Sequence, residues 1–258
     1  MIRTQLSVNL DRIALLRNSR AGGFPDPVYF GRLALEAGAG GLTVHPRPDE
    51  RHIKRAELAP LKALVDEFPG RELNIAGNPF ENLMPILKEI RPHQATFVPD
   101  APDQLFSDHG FELWDGEVRE KLAEAVAEAH TYGCRVSLFV DPEPEFTRWA
   151  KETGADRIEL YTEGYAAAFG TMLEDDILQA YIDSALLCDE LELGVNAGRD
   201  LSLKNVEKLL MTCGNISEVS IGHGFTVEAL EFGFAETICR YNELFDRVAA
   251  QPRVFPEN

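Results

Sequence analysis

The sequence predicts an α/β fold of the (β/α)8 (TIM) barrel type, in a single domain over residues 1–258. Three observations carry this reading. Eight short apolar runs recur along the chain, helix-period segments separate them, and the whole repeats eight times in about 250 residues. A doubly wound open sheet is the alternative. It calls for a glycine-rich dinucleotide turn after the first strand, and "NLDRIALLRNSR" is nothing like one.

The predicted strands are "QLSVNL" (5–10), "GLTVHP" (41–46), "ELNIAG" (72–77) and "QATFVP" (94–99). They continue with "RVSLFV" (135–140), "RIELYT" (157–162), "LGVNAG" (193–198) and "EVSIGHG" (218–224). Between them lie amphipathic segments such as "DPVYFGRLALEAG", "PFENLMPILKEI", "VREKLAEAVAEAHTYG" and "LSLKNVEKLLMTCG". Several of these end on glycine, the usual helix stop. The stretches 101–114 and 162–176 are the longest connections, and both are lid candidates. The segment 225–250 reads as one long last helix with spare apolar residues, which points to oligomer contacts.

Composition narrows the function. A net charge of −18 argues against nucleic acid and anionic membrane surfaces, both of which attract basic faces. No apolar run is long enough to span a bilayer, and "MIRTQLSVNL" lacks the pattern of a secretory leader, so a cytoplasmic protein is expected. The four cysteines, Cys134, Cys188, Cys213 and Cys239, are widely spaced without a CxxC, which predicts reduced core thiols.

In a barrel, chemistry gathers where the strands end. Asn9 and Asp11 follow strand one, His45 and Arg47 strand two, and Asn74 and Asn78 bracket the end of strand three. Asp100 and Asp141 close strands four and five. Glu159 and Glu163 lie on and after strand six, Asn196 and Arg199 on and after strand seven, and Gly222 with His223 at strand eight. Any one of these could be a plain helix cap, and Asp141 before "PEPEF" is read as one. Polar residues at all eight ends need a shared reason. His45 suits acid–base work, because imidazole titrates near working pH. Arg47 offers a planar fork for phosphate or carboxylate, and "SIGHG" puts glycine amides at the usual barrel phosphate site. His93, His109 and His130 are read as structural or exposed. A metal formed by His45, His52, Glu159 and His223 is not expected, since no HExxH occurs and nearby arginines would repel a cation.

With these residues in place, the chain resembles the pyridoxine 5′-phosphate synthase family of vitamin B6 biosynthesis. The resemblance runs from "LSVNLDRIALLRNSR" to the final helix, through "TVHPRPDERHI", "RPHQATFVPDAPDQ", "DRIELYTEGYA", "GVNAG" and "EVSIGH". It implies a (β/α)8 barrel with extra helices, assembled as a homo-oligomer, typically an octamer. It also implies condensation of 3-amino-2-oxopropyl phosphate with 1-deoxy-D-xylulose 5-phosphate, releasing phosphate and water, with neither metal nor organic cofactor. Matched motif by motif, Asn9 would contact the aminoketone phosphate, and Asp11, Arg20, Arg47 and His52 would help bind the two phosphorylated substrates. His45 would move protons, Glu159 would stabilise the transition state, and Gly222 and His223 would meet the product's phosphate.

The sequence departs from the family pattern at four places. Ala76 stands where the family carries a proton-accepting Glu, and Arg199 where it carries a proton-donating His. Asp11 is followed by Arg12 rather than His, and Phe106, with Ser107 beside it, replaces a hydroxyl residue of the sugar-phosphate site. Alanine moves no proton and arginine stays protonated. The anion-holding half of the site is thus kept and the proton-moving half rebuilt. Arg12 and Arg199 become anion-gripping candidates, with Arg199 in a catalytic position. The leading expectation is a synthase of this family. The alternatives are a homologue acting on another phosphorylated substrate, and a catalytically silent phosphate-ligand binder.

Overall fold

The protein is described by a computed structural model covering residues 1–104 and 107–252; Phe106 lies outside the described residues. Eight strands form a closed, all-parallel barrel in sequence order. They are β1 (Gln5–Asn9), β2 (Gly41–Val44), β3 (Glu72–Gly77), β4 (Gln94–Phe97), β5 (Arg135–Val140), β6 (Arg157–Tyr161), β7 (Gly194–Gly198) and β8 (Ile216–Ile221). Closure is made by β1 against β8, with Ser7 level with Ser220. The described helices are α1 (Asp11–Asn18), α2 (Pro27–Glu36), α3 (Arg55–Asp66), α4 (Leu83–Ile90), α5 (Gly116–Thr131) and α6 (Pro144–Glu152). The second half adds α7 (Glu163–Ala168), α8 (Glu174–Glu190), α9 (Val206–Cys213), α10 (His223–Phe232) and α11 (Phe234–Ala249). The extra helices are α1, α7 and one member of the final pair.

Local chemistry sets several boundaries. Asp26 and Asp115 cap α2 and α5, accepting from the amides of Val28 and Glu117 at 2.9 Å each. Pro27 then opens α2 with its φ already helical. The predicted single last helix is two: Gly233 at φ 93° breaks it into α10 and α11, a conformation glycine adopts without a Cβ clash. Asp141 is not the cap expected of it. Glu143 occupies that position, and Asp141 instead accepts from the amide of Gly110 at 3.2 Å, tying down the β4–α5 connection. Within 162–176, residues 163–168 are helical rather than irregular.

The alternation of each strand sorts its side chains. Leu6, Val8, Leu42, Val44, Leu73, Ile75, Leu138, Leu160 and Val219 join the main apolar core with the helices. The inward positions are largely polar: Ser7, Thr43, Asn74, Gln94, Thr96, Ser137, Glu159, Asn196 and Glu218 are all buried. Val98, Phe139 and Tyr161 form a small separate apolar cluster. Barrel interiors are ordinarily filled by branched apolar side chains; here the apolar mass lies between barrel and helices and the lumen is polar. Among the described residues no helix is long and apolar enough to cross a membrane. Cys134, Cys188 and Cys213 are buried free thiols and Cys239 is an exposed one.

Candidate active site

The strand-end residues surround one cavity of about 320 Å³ at the C-terminal mouth of the barrel. Asn9, Asp11, Arg12, His45, Arg47, His52, Glu159, Arg199, Gly222 and His223 all line it, and so does Ala76. Arg20 is not among them. It is exposed in the turn after α1, while its neighbour Arg17 is the buried one, donating to the carbonyl of His52 at 2.7 Å. Asn196 also lies elsewhere: it accepts from Arg157 at 2.9 Å in the lower barrel.

A hydrogen-bonded belt crosses the lumen beneath the mouth. Ser7 and Thr43 share a 2.6 Å contact, Asn74 donates to Thr43 at 3.3 Å, and Thr96 contacts Asn74 Oδ1 at 3.1 Å and Glu159 Oε2 at 3.2 Å. Thr96 has one hydroxyl proton for those two oxygens. Both contacts are satisfied when Glu159 keeps its own proton and donates to Thr96, which then donates to Asn74. Burial drives Glu159 the same way, raising its pKa above the usual carboxylate value against the opposing pull of Arg199 and of the Thr96 hydrogen bond. Gly198 makes room for this carboxylate. A Cβ there would sit 2.5 Å from Glu159 Oε1.

His45 is shifted in the opposite sense. Burial, then the charges of Arg47 and Arg199, hold it well below the ordinary imidazole value, so it is neutral at pH 7. Asp11 fixes its backbone, accepting from the His45 amide at 3.0 Å, and Asn9 Oδ1 in turn accepts from the Asp11 amide at 2.8 Å. His52 Nδ1 lies 3.4 Å from Asp11 Oδ1, with its pKa lowered by burial despite that carboxylate.

Across the mouth runs a second chain. Arg47 and Ser107 both donate to Asp100 Oδ2, at 2.5 and 2.6 Å, and Arg199 donates to Ser107 Oγ at 2.5 Å. Arg199 also lies over the Phe139 ring, 5.5 Å from its centroid. The Nε atoms of Arg47 and Arg199 are buried without a hydrogen-bond partner. Buried polar groups are normally paired, so unpaired guanidinium donors lining a cavity mark a place for an anion. Arg199 and Asp200 stand in succession at φ 99° and 53°, a backbone region that costs non-glycine residues energy and is found mainly where function requires it. Gly222 precedes His223 at the start of α10, beside Asn9. Among the described residues, no group of three or more His, Cys, Asp or Glu side chains is arranged for a metal ion.

Several lining residues escaped the strand-end rule: Thr43, Thr96, Tyr161, Asp200 and Ser220. Strand periodicity was the available signal for most of them. Thr43 precedes His45 by two, and Tyr161 follows Glu159 by two, so each pair shares the inward face. Asp200 carries no such signal.

Fold and mouth together define a (β/α)8-barrel protein with an arginine-lined cavity and two oppositely shifted titratable groups at the C-terminal end of its strands. Comparison with known proteins makes this specific. Residues 6–247 match the family model described as pyridoxal phosphate biosynthesis protein PdxJ, and the chain belongs to that family. It is 45% identical over 243 residues to pyridoxine 5′-phosphate synthase from Albidiferax ferrireducens, covering 92% of this chain and 96% of that protein. It is 47% identical to the synthase from Agrobacterium fabrum, with 92% and 95% covered. Among solved structures it is similar to the Amycolatopsis orientalis BexX/CysO complex, with a TM-score of 0.62 and 16% identity over 98% of this chain and 95% of that one. It also resembles tryptophan synthase from Mycobacterium tuberculosis, with a TM-score of 0.58, 16% identity and 98% and 93% coverage. At such identities these structures show the fold alone.

Proposed function

We propose that the chain is a pyridoxine 5′-phosphate synthase, joining 3-amino-2-oxopropyl phosphate to 1-deoxy-D-xylulose 5-phosphate with release of phosphate and water. The observation that carries this reading is the gathering of His45, Glu159 and the unpaired guanidinium donors of Arg47 and Arg199 around one cavity, in a chain that matches the family over residues 6–247. Two titratable groups driven apart by their surroundings divide into a base and an acid. Neutral His45 accepts protons from the substrates. Glu159, whose neutral form burial favours, returns one to a departing hydroxyl, which leaves as water. Arg47, Arg12 and His52 hold the sugar phosphate with Asp11, and Asn9, Gly222 and His223 hold the aminoketone phosphate. Arg20, exposed after α1 and absent from the cavity wall, reaches substrate only if the segment after α1 folds inward.

The departures from the family pattern fit this division. Ala76 leaves the third strand without an acid or base, and Arg199 contributes a fixed positive charge. That charge favours neutral His45 and is the kind of fixed charge that stabilises an oxygen on which negative charge develops. Ser107, bonded to both Asp100 and Arg199, supplies a hydroxyl at the sugar-phosphate site. We further propose a cytoplasmic homo-oligomer, supported by exposed Leu15 and Leu16 on α1 and Val227, Leu230 and Phe232 on neighbouring α10.

The test is an assay of the purified protein with both substrates, following ring formation by absorbance. A turnover of roughly 1 s⁻¹ or more is expected. His45→Gln should lower it by ~10²–10⁴-fold, the scale for one positioned acid–base group. The rate should fall on the acid side as His45 protonates, below the usual imidazole range. It should also fall on the alkaline side as Glu159 ionises, above the usual carboxylate range. Binding of both substrates without ring product would overturn the proposal.

A further inference from the structure

The cavity contains a carboxylate that the proton-transfer scheme above does not use. Glu163, the first residue of α7, is exposed, lines the mouth and accepts a hydrogen bond from the Tyr161 hydroxyl. Tyr161 is itself fixed, nine-tenths buried with its ring 5.3 Å from that of Phe139. A glutamate on a surface helix ordinarily samples several rotamers and loses that freedom on binding; the phenol removes part of this cost in advance.

Three of the other carboxylates at the mouth are committed. Asp11 takes the His45 amide and faces His52, Asp100 takes Arg47 and Ser107, and Glu159 contacts Thr96. Glu163 has no cationic partner among the described residues. The same cavity exposes the opposite need, because the buried Nε atoms of Arg47 and Arg199 lack acceptors. A cavity with unpaired guanidinium donors and a pre-oriented carboxylate lacking a cationic partner is complementary to a ligand carrying both an anionic and a cationic group.

We infer that Glu163, oriented by Tyr161, recognises the primary ammonium group of the phosphorylated aminoketone and so selects it over hydroxyl or unsubstituted analogues. The inference rests on the synthase reading and adds to it a residue that sets specificity. Ammonium and carboxylate form a charge-assisted hydrogen bond inside a partly enclosed site, where such bonds are strongest. Tyr161 acts as a positioning residue: it touches Glu163 rather than the ammonium group. Asp200, at the same rim, adds negative potential but has no side-chain partner among the described residues that orients it.

The test uses two stable probes that differ only in the amine, 3-aminopropyl phosphate and n-propyl phosphate, titrated calorimetrically into the whole protein at pH 7. The unmodified protein should prefer the amine by roughly tenfold, which corresponds to about 1.4 kcal/mol. Glu163→Gln should bring the ratio close to one while leaving n-propyl phosphate affinity unchanged. Tyr161→Phe should give an intermediate ratio, and Asp200→Asn should retain most of the preference. Glu163 is exposed, so the glutamine variant keeps the fold, which its melting curve will verify. A preference that survives Glu163→Gln overturns the inference, as does one lost equally in Asp200→Asn. Equal binding of both esters by the unmodified protein overturns it too, yet leaves the phosphate-binding mouth standing. If neither ester binds, the synthase reading fails and the inference falls with it.

Discussion

The two ends of the barrel are built from similar residues and differ in how those residues are paired. At the floor, Gln94 accepts from Arg135 and Asn196 and donates to Glu218, Arg157 donates to Asn196, and Arg135 pairs with Glu72. None of these side chains is left with a buried atom lacking a partner. At the mouth, Arg47, His52, Asp100 and Arg199 each keep one such atom. Burial without pairing costs free energy, so a fold that tolerates it at one end and avoids it at the other separates two tasks. The floor network serves the fold, and the mouth is the end proposed above to take a ligand.

The most damaging change to the fold should fall at the floor. Gln94→Leu would strip three polar neighbours of a partner at once, at about 1–3 kcal/mol each and less than additively. Urea denaturation at pH 7 should show a loss of roughly 2–5 kcal/mol. A loss below ~1 kcal/mol would mean that water enters the floor and the contrast drawn here is false.

A smaller effect isolates the charge there. Burial raises Glu218 to about 7, with Arg157 and Arg135 opposing and Glu159 and Glu72 adding to the rise. Unfolded, the same group titrates near ~4.3. The folded protein therefore holds this proton over the window between, and the stability it contributes is complete below ~4.3 and lost as pH rises through about 7. Glu218→Gln keeps the hydrogen bonding and removes the titration. Its stability relative to the parent should rise across that window by on the order of 1 kcal/mol or more, and an unchanged pH slope would show that Glu218 is already ionised and paired.

How much of this was legible beforehand follows the same division. The barrel and its mouth could be read because strand-end polar residues interrupt otherwise apolar runs, as His45 does after "GLTV". The floor could not. Gln94, Arg135 and Arg157 stand at strand starts, where a polar residue ordinarily belongs to the preceding turn. Their long side chains turn into the lumen, and hydropathy does not report that. Asn196 was misplaced for the same reason: position along a strand is visible in the sequence, but the height at which a side chain finds its partner is not. The Ser107–Arg199 link, spanning 92 residues, depends on two loops whose paths no local pattern determines. Gly233 was passed over as a helix break because the apolar period continues across it.

The most direct test of the division between the two ends is the stabilisation conferred by a phosphate ester on each variant. Both Gln94→Leu and Arg47→Ala expose buried polar groups, the latter leaving Asp100 without its arginine, so both lower the stability of the free protein. The increment on adding ligand is separate from that loss. With 3-aminopropyl phosphate at a hundred times the parent's Kd, the parent should gain about 2.7 kcal/mol. Gln94→Leu should gain the same, whereas Arg47→Ala, binding some ten- to a hundredfold more weakly, should gain about 1.4 kcal/mol or less. Equal increments in the two variants would contradict the account, since the mouth would then be no more a ligand site than the floor.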